Sequence, residues 1–398
     1  MSWDFSTDPG FAEKLDWMRD FVREEVWPLE VVDTDRAGIA RLMKPLQEEV
    51  KARGLWACHL PPELGGQGYG QVKLALMHEI LGTSNYAPPV FGNQAPDSGN
   101  SEILSLYGTA EQKKRWMEPL LAGEIRSAFS MTEPAPGAGA DPTMLRTTAV
   151  LDGDEWVING HKWFTTGADR AAFTTVFAKT EPSEDNRYRQ FSAIIVPTDT
   201  PGYDIARVVP TMGHTGGHHC EVYYHDVRVP AANVLGDRGE GFVIAQRRLG
   251  PGRIFHCMRW LGQAQRAFEL MCERATTRFA HGSLLAEKGE IQRYVAESAA
   301  EIQAARLMTL DAAQVIDDGG EARVEISLIK FWGARMLHNV IDRAIQVHGA
   351  LGVTADTPLE KMYREARYAR IYDGPDEVHR MVVARRLLKD YKSGAPWA

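Results

Sequence analysis

The chain has 398 residues, of which 44% are hydrophobic and 25% charged, the proportions of a globular protein with two or three domains. A formal charge of −8 argues against a nucleic-acid partner held by a basic face, and no apolar run approaches the roughly 20 residues of a membrane span. Cys58, Cys220, Cys257 and Cys272 stand far apart without CxxC or zinc spacing, and the first residues carry neither a basic start nor an apolar stretch. A cytoplasmic protein without a metal, membrane insertion or nucleic-acid partner is therefore expected.

In chain order, Asp8-Pro9 is a cap followed by proline at the first helical position, and Leu15, Met18, Val22 and Val26 then fall on one helical face. Helical segments punctuated by glycine and proline continue to about residue 125. There the texture changes. Asp152-Gly153 and Asn159-Gly160 are hairpin signals flanking Trp156-Val157-Ile158, and extended stretches follow at 173–178, 191–196 and 221–229. After Glu240 the helical period returns, and Gly250-Pro251-Gly252 predicts a kink or a restart. Ile326, Ile329, Gly333, Met336, Val340, Ala344 and Val347 form a stripe at three–four spacing, as at a bundle seam. The expected organisation is α+β, with a helical domain over 1–125, an antiparallel β-barrel domain over 126–236 and a helical bundle over 237–398.

Several segments are of the kind that carry chemistry. Phe129-Ser130-Met131-Thr132-Glu133-Pro134 enters a Gly/Pro-rich loop, which either brings backbone close to a planar or phosphorylated ligand or simply connects domains. Trp163 and Thr165, two apart on a strand, are expected on one face, either against a ring or in cross-strand packing. Asp373-Gly374-Pro375 breaks a helix and sets a carboxylate at a turn, as a base or as a cap. Gln346 to Gly352 ends a long helix in glycines, for which C-capping is the plain reading. His214, His218 and His219 have no HxxxH helix and no acidic neighbour, so a polar loop is favoured over a metal site. No GxGxxG, Walker loop or GxSxG elbow is present.

In this order the segments resemble the acyl-CoA dehydrogenase family of flavoproteins over nearly the whole chain. Gly108-Thr109-Ala110-Glu111-Gln112-Lys113, Thr132-Glu133-Pro134 and Trp163-Phe164-Thr165 match family motifs. Arg278-Phe279-Ala280-His281-Gly282 matches with His281 in place of Phe, and Gln346 to Gly352 with Ala350 in place of Gly. The family's catalytic Tyr-Glu-Gly is here Tyr372-Asp373-Gly374, which looks like a branch that uses aspartate as its base, with Leu249 to Ile254 and Cys257 to Trp260 similar to the same branch. Ala140 replaces a serine that contacts cofactor or CoA in many relatives.

The resemblance implies the family architecture, ending in a four-helix bundle, and an FAD cofactor. It implies α,β-dehydrogenation of an acyl-CoA to a trans-2-enoyl-CoA, as in fatty acid β-oxidation, with Asp373 removing the α-proton and hydride leaving to flavin N5. The thioester oxygen would be met by the Asp373 backbone N–H, beside Gly374, and by a ribityl hydroxyl. Met131, Thr132, Trp163 and Thr165 would contact the isoalloxazine. Arg278, Gln346 and Gly349 would meet the FAD of a neighbouring subunit, so a homodimer or homotetramer is implied. Arg253 would assist around base and substrate, and an electron-transferring flavoprotein would be the oxidant. The rival readings are a flavin oxidase of the same fold, nitroalkane oxidase-like or acyl-CoA oxidase-like, and a non-catalytic binding protein on it.

Overall fold

The computed structural model describes residues 6–64, 66–181, 186, 188–212 and 218–394. Two compact units emerge: one comprises the chain up to Cys58 with Gln67–Phe91 and everything from Pro251, the other His59–Gly66 with Gly92–Gly250. Among the described residues no helix is long and apolar enough to cross a membrane.

The first unit is helical. Helix α1 (Pro9–Phe21) starts as its sequence predicts, with the Asp8 carboxylate accepting the Phe11 N–H and proline in the first turn. Leu15, Met18, Val22 and Val26 are all buried. Helices α2 (Arg36–Ala52) and α3 (Gln71–Leu81) follow. Later in the chain come α5 (Gly241–Thr277), α6 (Gly289–Asp317), α7 (Arg323–His348), α8 (Leu359–Ala369) and α9 (Asp376–Lys392), with α4 (Asp97–Tyr107) belonging to the other unit. The stripe of α7 is buried throughout, from Ile326 to Val347, and α7 is the central helix, packed on α6, α8 and α9. These apolar faces merge with those of α1 and α3 into one core.

Of the kink or restart expected at Gly250-Pro251-Gly252, the restart does not occur: α5 is helical through it. A proline inside a helix removes one N–H bond, and burial on both sides can outweigh that loss. Here Ile244 and Ala245 precede the proline and Ile254, Cys257 and Met258 follow it, all buried. The boundary between the two units nevertheless falls at Gly250–Pro251.

The second unit holds an eight-stranded sheet, with strands β1 (Ser127–Ser130), β2 (Thr148–Asp152), β3 (Glu155–Thr166), β4 (Phe173–Lys179), β5 (Phe191–Pro197), β6 (Tyr203–Val208), β7 (His219–Pro230) and β8 (Val234–Leu235). Their order is β6-β7-β3-β2-β4-β5-β8, with β1 beside β4. Thus the fold class is the expected one, except that the sheet is not a closed barrel: it ends at β6 and β8, and β1 pairs with β4 in parallel. Along β4 and β5 alternate side chains enter two cores. Phe173, Phe177, Phe191, Ala193 and Ile195 lie in one, and Val176, Ala178, Ile194 and Val196 in the other. Both faces are covered, which is why these strands read as continuous apolar runs.

Asp152-Gly153 forms the predicted β2–β3 turn, with Gly153 at φ +65°. Asn159-Gly160 does not turn the chain. It sits inside β3 at a register shift, where the Asn159 amide and carbonyl bond Asp226 of β7. A side chain at Gly160 would come 2.3 Å from the Thr147 hydroxyl, so glycine there serves close packing rather than a turn.

The Gly108–Lys113 motif also gains a structural account. Thr109 and Gln112 form a reciprocal capping box, and the Gln112 amide donates to the Ala232 and Val234 carbonyls at 2.9 and 2.8 Å.

Candidate active site

The first cluster lies at the end of β1. Glu133 is buried, and its carboxylate accepts the Thr147 N–H at 2.9 Å, the Thr147 hydroxyl at 2.6 Å and the Arg146 N–H at 2.7 Å. Lys162 of β3, fully buried, donates to Glu133 Oε1 at 2.9 Å and to the Met131 carbonyl at 3.0 Å. Burial alone would raise the Glu133 carboxyl, but the Lys162 charge and the Thr147 bonds outweigh it and hold it below its ordinary value. Lys162 is pulled down to about 8 by burial, with Glu133 opposing. This pair fixes the main chain around Met131 and Thr132, and the Trp163 N–H donates to the Thr132 carbonyl at 3.0 Å. Met131, Thr132 and Trp163 are left half-buried.

Thr165 does not share the outward face of Trp163. Phe164 has φ +51° and the β3–β7 register shifts between Lys162 and Thr165, so the alternation of side chains is broken. Lys162 and Thr165 both point inward, and the Thr165 hydroxyl is paired with Ser130 at 3.1 Å, which also accepts from Tyr224 at 3.0 Å. His219 bonds the Thr166 hydroxyl through Nδ1 and His218 supplies a carbonyl to the Gly167 N–H. His214 lies outside the described residues, and among those described no group of His, Cys, Asp and Glu could hold a metal.

The second cluster surrounds the turn between α8 and α9. Asp373 has φ +54° and Gly374 φ +99°, left-handed conformations that Asp tolerates and Gly adopts freely. The Asp373 carbonyl accepts from Arg253 Nε at 3.0 Å and from His379 Nε2 at 3.1 Å. Lys330 of α7, fully buried, donates to the carbonyls of Ala369 at 2.7 Å and Gly374 at 3.3 Å, with its ammonium 5.2 Å from the ring centroids of both Trp260 and Tyr372. The Trp260 indole N–H donates to the Tyr372 hydroxyl at 2.8 Å. With its backbone clamped, Asp373 keeps a carboxylate that is 23% exposed, 3.1 Å from His256 Nε2. Burial, reinforced by the Arg253 charge, pulls the His379 imidazole down to about 4, so it is a neutral donor at pH 7. Burial likewise lowers Arg253 and Lys330, opposed in both by the Asp373 charge.

Arg253 is thus brought to the Asp373-Gly374 turn. His256, Lys330 and His379 escaped the sequence reading. His256 stands one turn from Arg253 on α5, and Lys330 is the one lysine of α7, next to Ile329 of its apolar stripe; both are signals present in the sequence. Arg278, Gln346 and Gly349 are exposed and lie apart from this cluster, Arg278 before a small hairpin (β9, Phe279–Ala280; β10, Ser283–Leu284) and Gly349 at φ +64° capping α7.

Comparison with known proteins bears on this geometry. The chain matches the acyl-CoA dehydrogenase N-terminal domain over residues 13–124, the middle domain over 128–227 and the C-terminal domain over 239–388. A probable acyl-CoA dehydrogenase of Mycobacterium tuberculosis, FadE2, is 46% identical over 399 residues, covering 96% of this chain and 97% of that one. The chain belongs to the acyl-CoA dehydrogenase family. Human acyl-CoA dehydrogenase family member 11 is 41% identical over 395 residues, 95% of this chain but 50% of that protein, so this chain spans about half of it. A solved Mycobacterium abscessus structure of the same family superposes with a TM-score of 0.91 at 41% identity, covering 97% of this chain and 100% of that one. The family is one of FAD-dependent oxidoreductases, and FAD is the cofactor of this member. The first cluster suits it: a half-exposed indole beside a methionine and a threonine, on main chain locked from within, matches a planar ring with a polar edge.

Proposed function

We propose that this dehydrogenase oxidises an acyl-CoA thioester to the trans-2-enoyl-CoA, with Asp373 as the base. The observation that carries the reading is the clamped Asp373 turn, whose carbonyl is held by Arg253 and His379 while its carboxylate stays partly exposed. A carboxylate removes an α-proton only from a C–H bond acidified by donors to the thioester oxygen, in a site that excludes water. The Asp373 backbone N–H, beside Gly374, is assigned that role by the family pattern, and Arg253 assists by holding the turn. FAD, when bound, supplies the acceptor for the β-hydrogen, which leaves as hydride. Met131, Thr132, Trp163 and Thr165 are assigned to the isoalloxazine, Thr165 through its main chain because its hydroxyl faces inward. Arg278, Gln346 and Gly349 are assigned to the FAD of a second copy, which makes the working unit a homodimer or homotetramer. The domains are taken as 1–125, 126–236 and 237–398, the compartment as cytoplasmic and the electron acceptor as an electron-transferring flavoprotein.

Anaerobic titration of the purified protein with acyl-CoAs, from short to long and branched, tests this. The flavin band should bleach with a preferred acyl-CoA, and Asp373→Asn should keep FAD and lose bleaching. Asn tolerates the left-handed turn, so the variant removes the charge while keeping the backbone. Bleaching at the wild-type rate in Asp373→Asn would remove Asp373 as the base. A flavin that no acyl-CoA reduces would remove the dehydrogenase reading itself.

A further inference from the structure

The base has a partner that the assignment above does not use. His256 Nε2 lies 3.1 Å from Asp373 Oδ2, and both side chains are 23% exposed. His256 and Arg253 are one helical turn apart on α5, so one face of that helix holds Asp373 twice, by its carbonyl through Arg253 and by its carboxylate through His256. The imidazole is itself held. Its ring packs against Tyr372 at 5.1 Å and Trp260 at 6.5 Å, and those two are joined by the indole–hydroxyl bond.

We propose that His256 is the positioning residue of the base, donating its Nε2–H to Asp373 Oδ2 so that Oδ1 is the atom presented to the substrate α-proton. The inference rests on Asp373 being the base. An aspartate arm is one methylene shorter than a glutamate arm, and its backbone is held by Arg253 and His379, so side-chain torsions and side-chain contacts decide where the carboxylate points. The His256 contact at 3.1 Å restrains one carboxylate oxygen, and a misplacement of about 1 Å can cost ~10²-fold in rate. In the step itself the α-proton moves to Oδ1, the C–H electron pair stays on the substrate α-carbon, and the Nε2 proton remains on His256. Burial keeps the imidazole below its ordinary value. The Asp373 hydrogen bond and charge oppose this, while the charges of Arg259 on α5 and Lys330 on α7 add to it. His256 is therefore a neutral donor at neutral pH, where a protonated imidazole would neutralise the carboxylate and weaken the base.

The test uses holoenzyme carrying His256→Phe, His256→Gln and Asp373→Asn. Three readouts are followed: kcat and KM for the preferred acyl-CoA, FAD content, and exchange of the α-protons of 3,3-dimethylbutyryl-CoA in deuterium oxide. That thioester has no β-hydrogen to lose, so its exchange reports the base alone. His256→Phe should lower kcat and the exchange rate together by about 10²-fold, with KM and FAD content within about 2-fold of wild type. His256→Gln, which can place an amide N–H near the same carboxylate oxygen, should recover most of both. If His256→Phe exchanges and turns over within about 3-fold of wild type while Asp373→Asn does neither, the inference is wrong and the base assignment stands. Equal loss in both histidine variants, with raised KM or lost FAD, would make His256 a packing residue and also overturn it. Wild-type exchange by Asp373→Asn would remove the base, and this inference with it.

Discussion

Replacing Lys162 with methionine probes the scaffold beneath the proposed flavin contacts. Methionine nearly matches the aliphatic stem, so packing changes little and the loss is electrostatic. Two groups lose a partner, the Glu133 carboxylate and the Met131 carbonyl. Breaking a buried pair typically costs about 3–5 kcal/mol, because the remaining charge is stranded. Glu133 is not wholly stranded, since the Thr147 N–H and hydroxyl and the Arg146 N–H still reach it. That places the expected cost near the lower end, about 3 kcal/mol. For a folding unit of this size such a loss corresponds to a fall in Tm of roughly 6–12 °C.

The assay is calorimetric melting of wild type and Lys162→Met at equal protein and FAD concentrations, at pH 7 and pH 5. In the wild type the Glu133 pKa lies below its unfolded value, so its contribution is full above about pH 4.5 and fades as pH falls through the folded value. Without Lys162, burial dominates and raises that pKa, so acid relieves the stranded charge by protonating it. The Tm gap should therefore be smaller at pH 5 than at pH 7. A gap under about 2 °C at pH 7, or one that widens in acid, would refute the account of Lys162 as the charge partner that holds Glu133 ionised.

Two further variants test the scaffolding of each unit. Gln112→Ala should leave the Ala232 and Val234 carbonyls without their donor and cost about 2 kcal/mol, read as faster amide hydrogen exchange across residues 231–240. Unchanged exchange there would mean that water replaces the amide without loss. Gly374→Ala should lower kcat without releasing FAD, because its Cβ would fall 2.8 Å from His379 Nε2 at a φ of +99° and push the imidazole off the Asp373 carbonyl. Wild-type turnover in that variant would show that the clamp on the turn is dispensable.

Local patterns settled a good part of this protein in advance. The three–four spacing on α1 and α7, the alternating apolar strands and the Asp152-Gly153 turn all act over a few residues, where backbone geometry and side-chain period decide the outcome. The helix break at Asp373-Gly374-Pro375 was legible for the same reason, and it falls at the left-handed Asp373 and Gly374. Where several elements converge, local rules gave the wrong answer or none. Asn159-Gly160 reads as a turn, yet Thr147 packs on it and Asp226 bonds it, so it became an irregularity inside a strand. Trp163 and Thr165 share a face by period, yet the bulge at Phe164 separates them. Gly250-Pro251-Gly252 reads as a kink or a restart, yet α5 runs through it without restarting, with buried residues on both sides. Most of all, the environment of Asp373 is assembled from Arg253 and His256 on α5, Lys330 on α7 and His379 on α9. Residues so far apart in the chain meet only when the helices pack, because a buried hydrogen bond is decided by which groups lose water together, and sequence spacing carries no record of that.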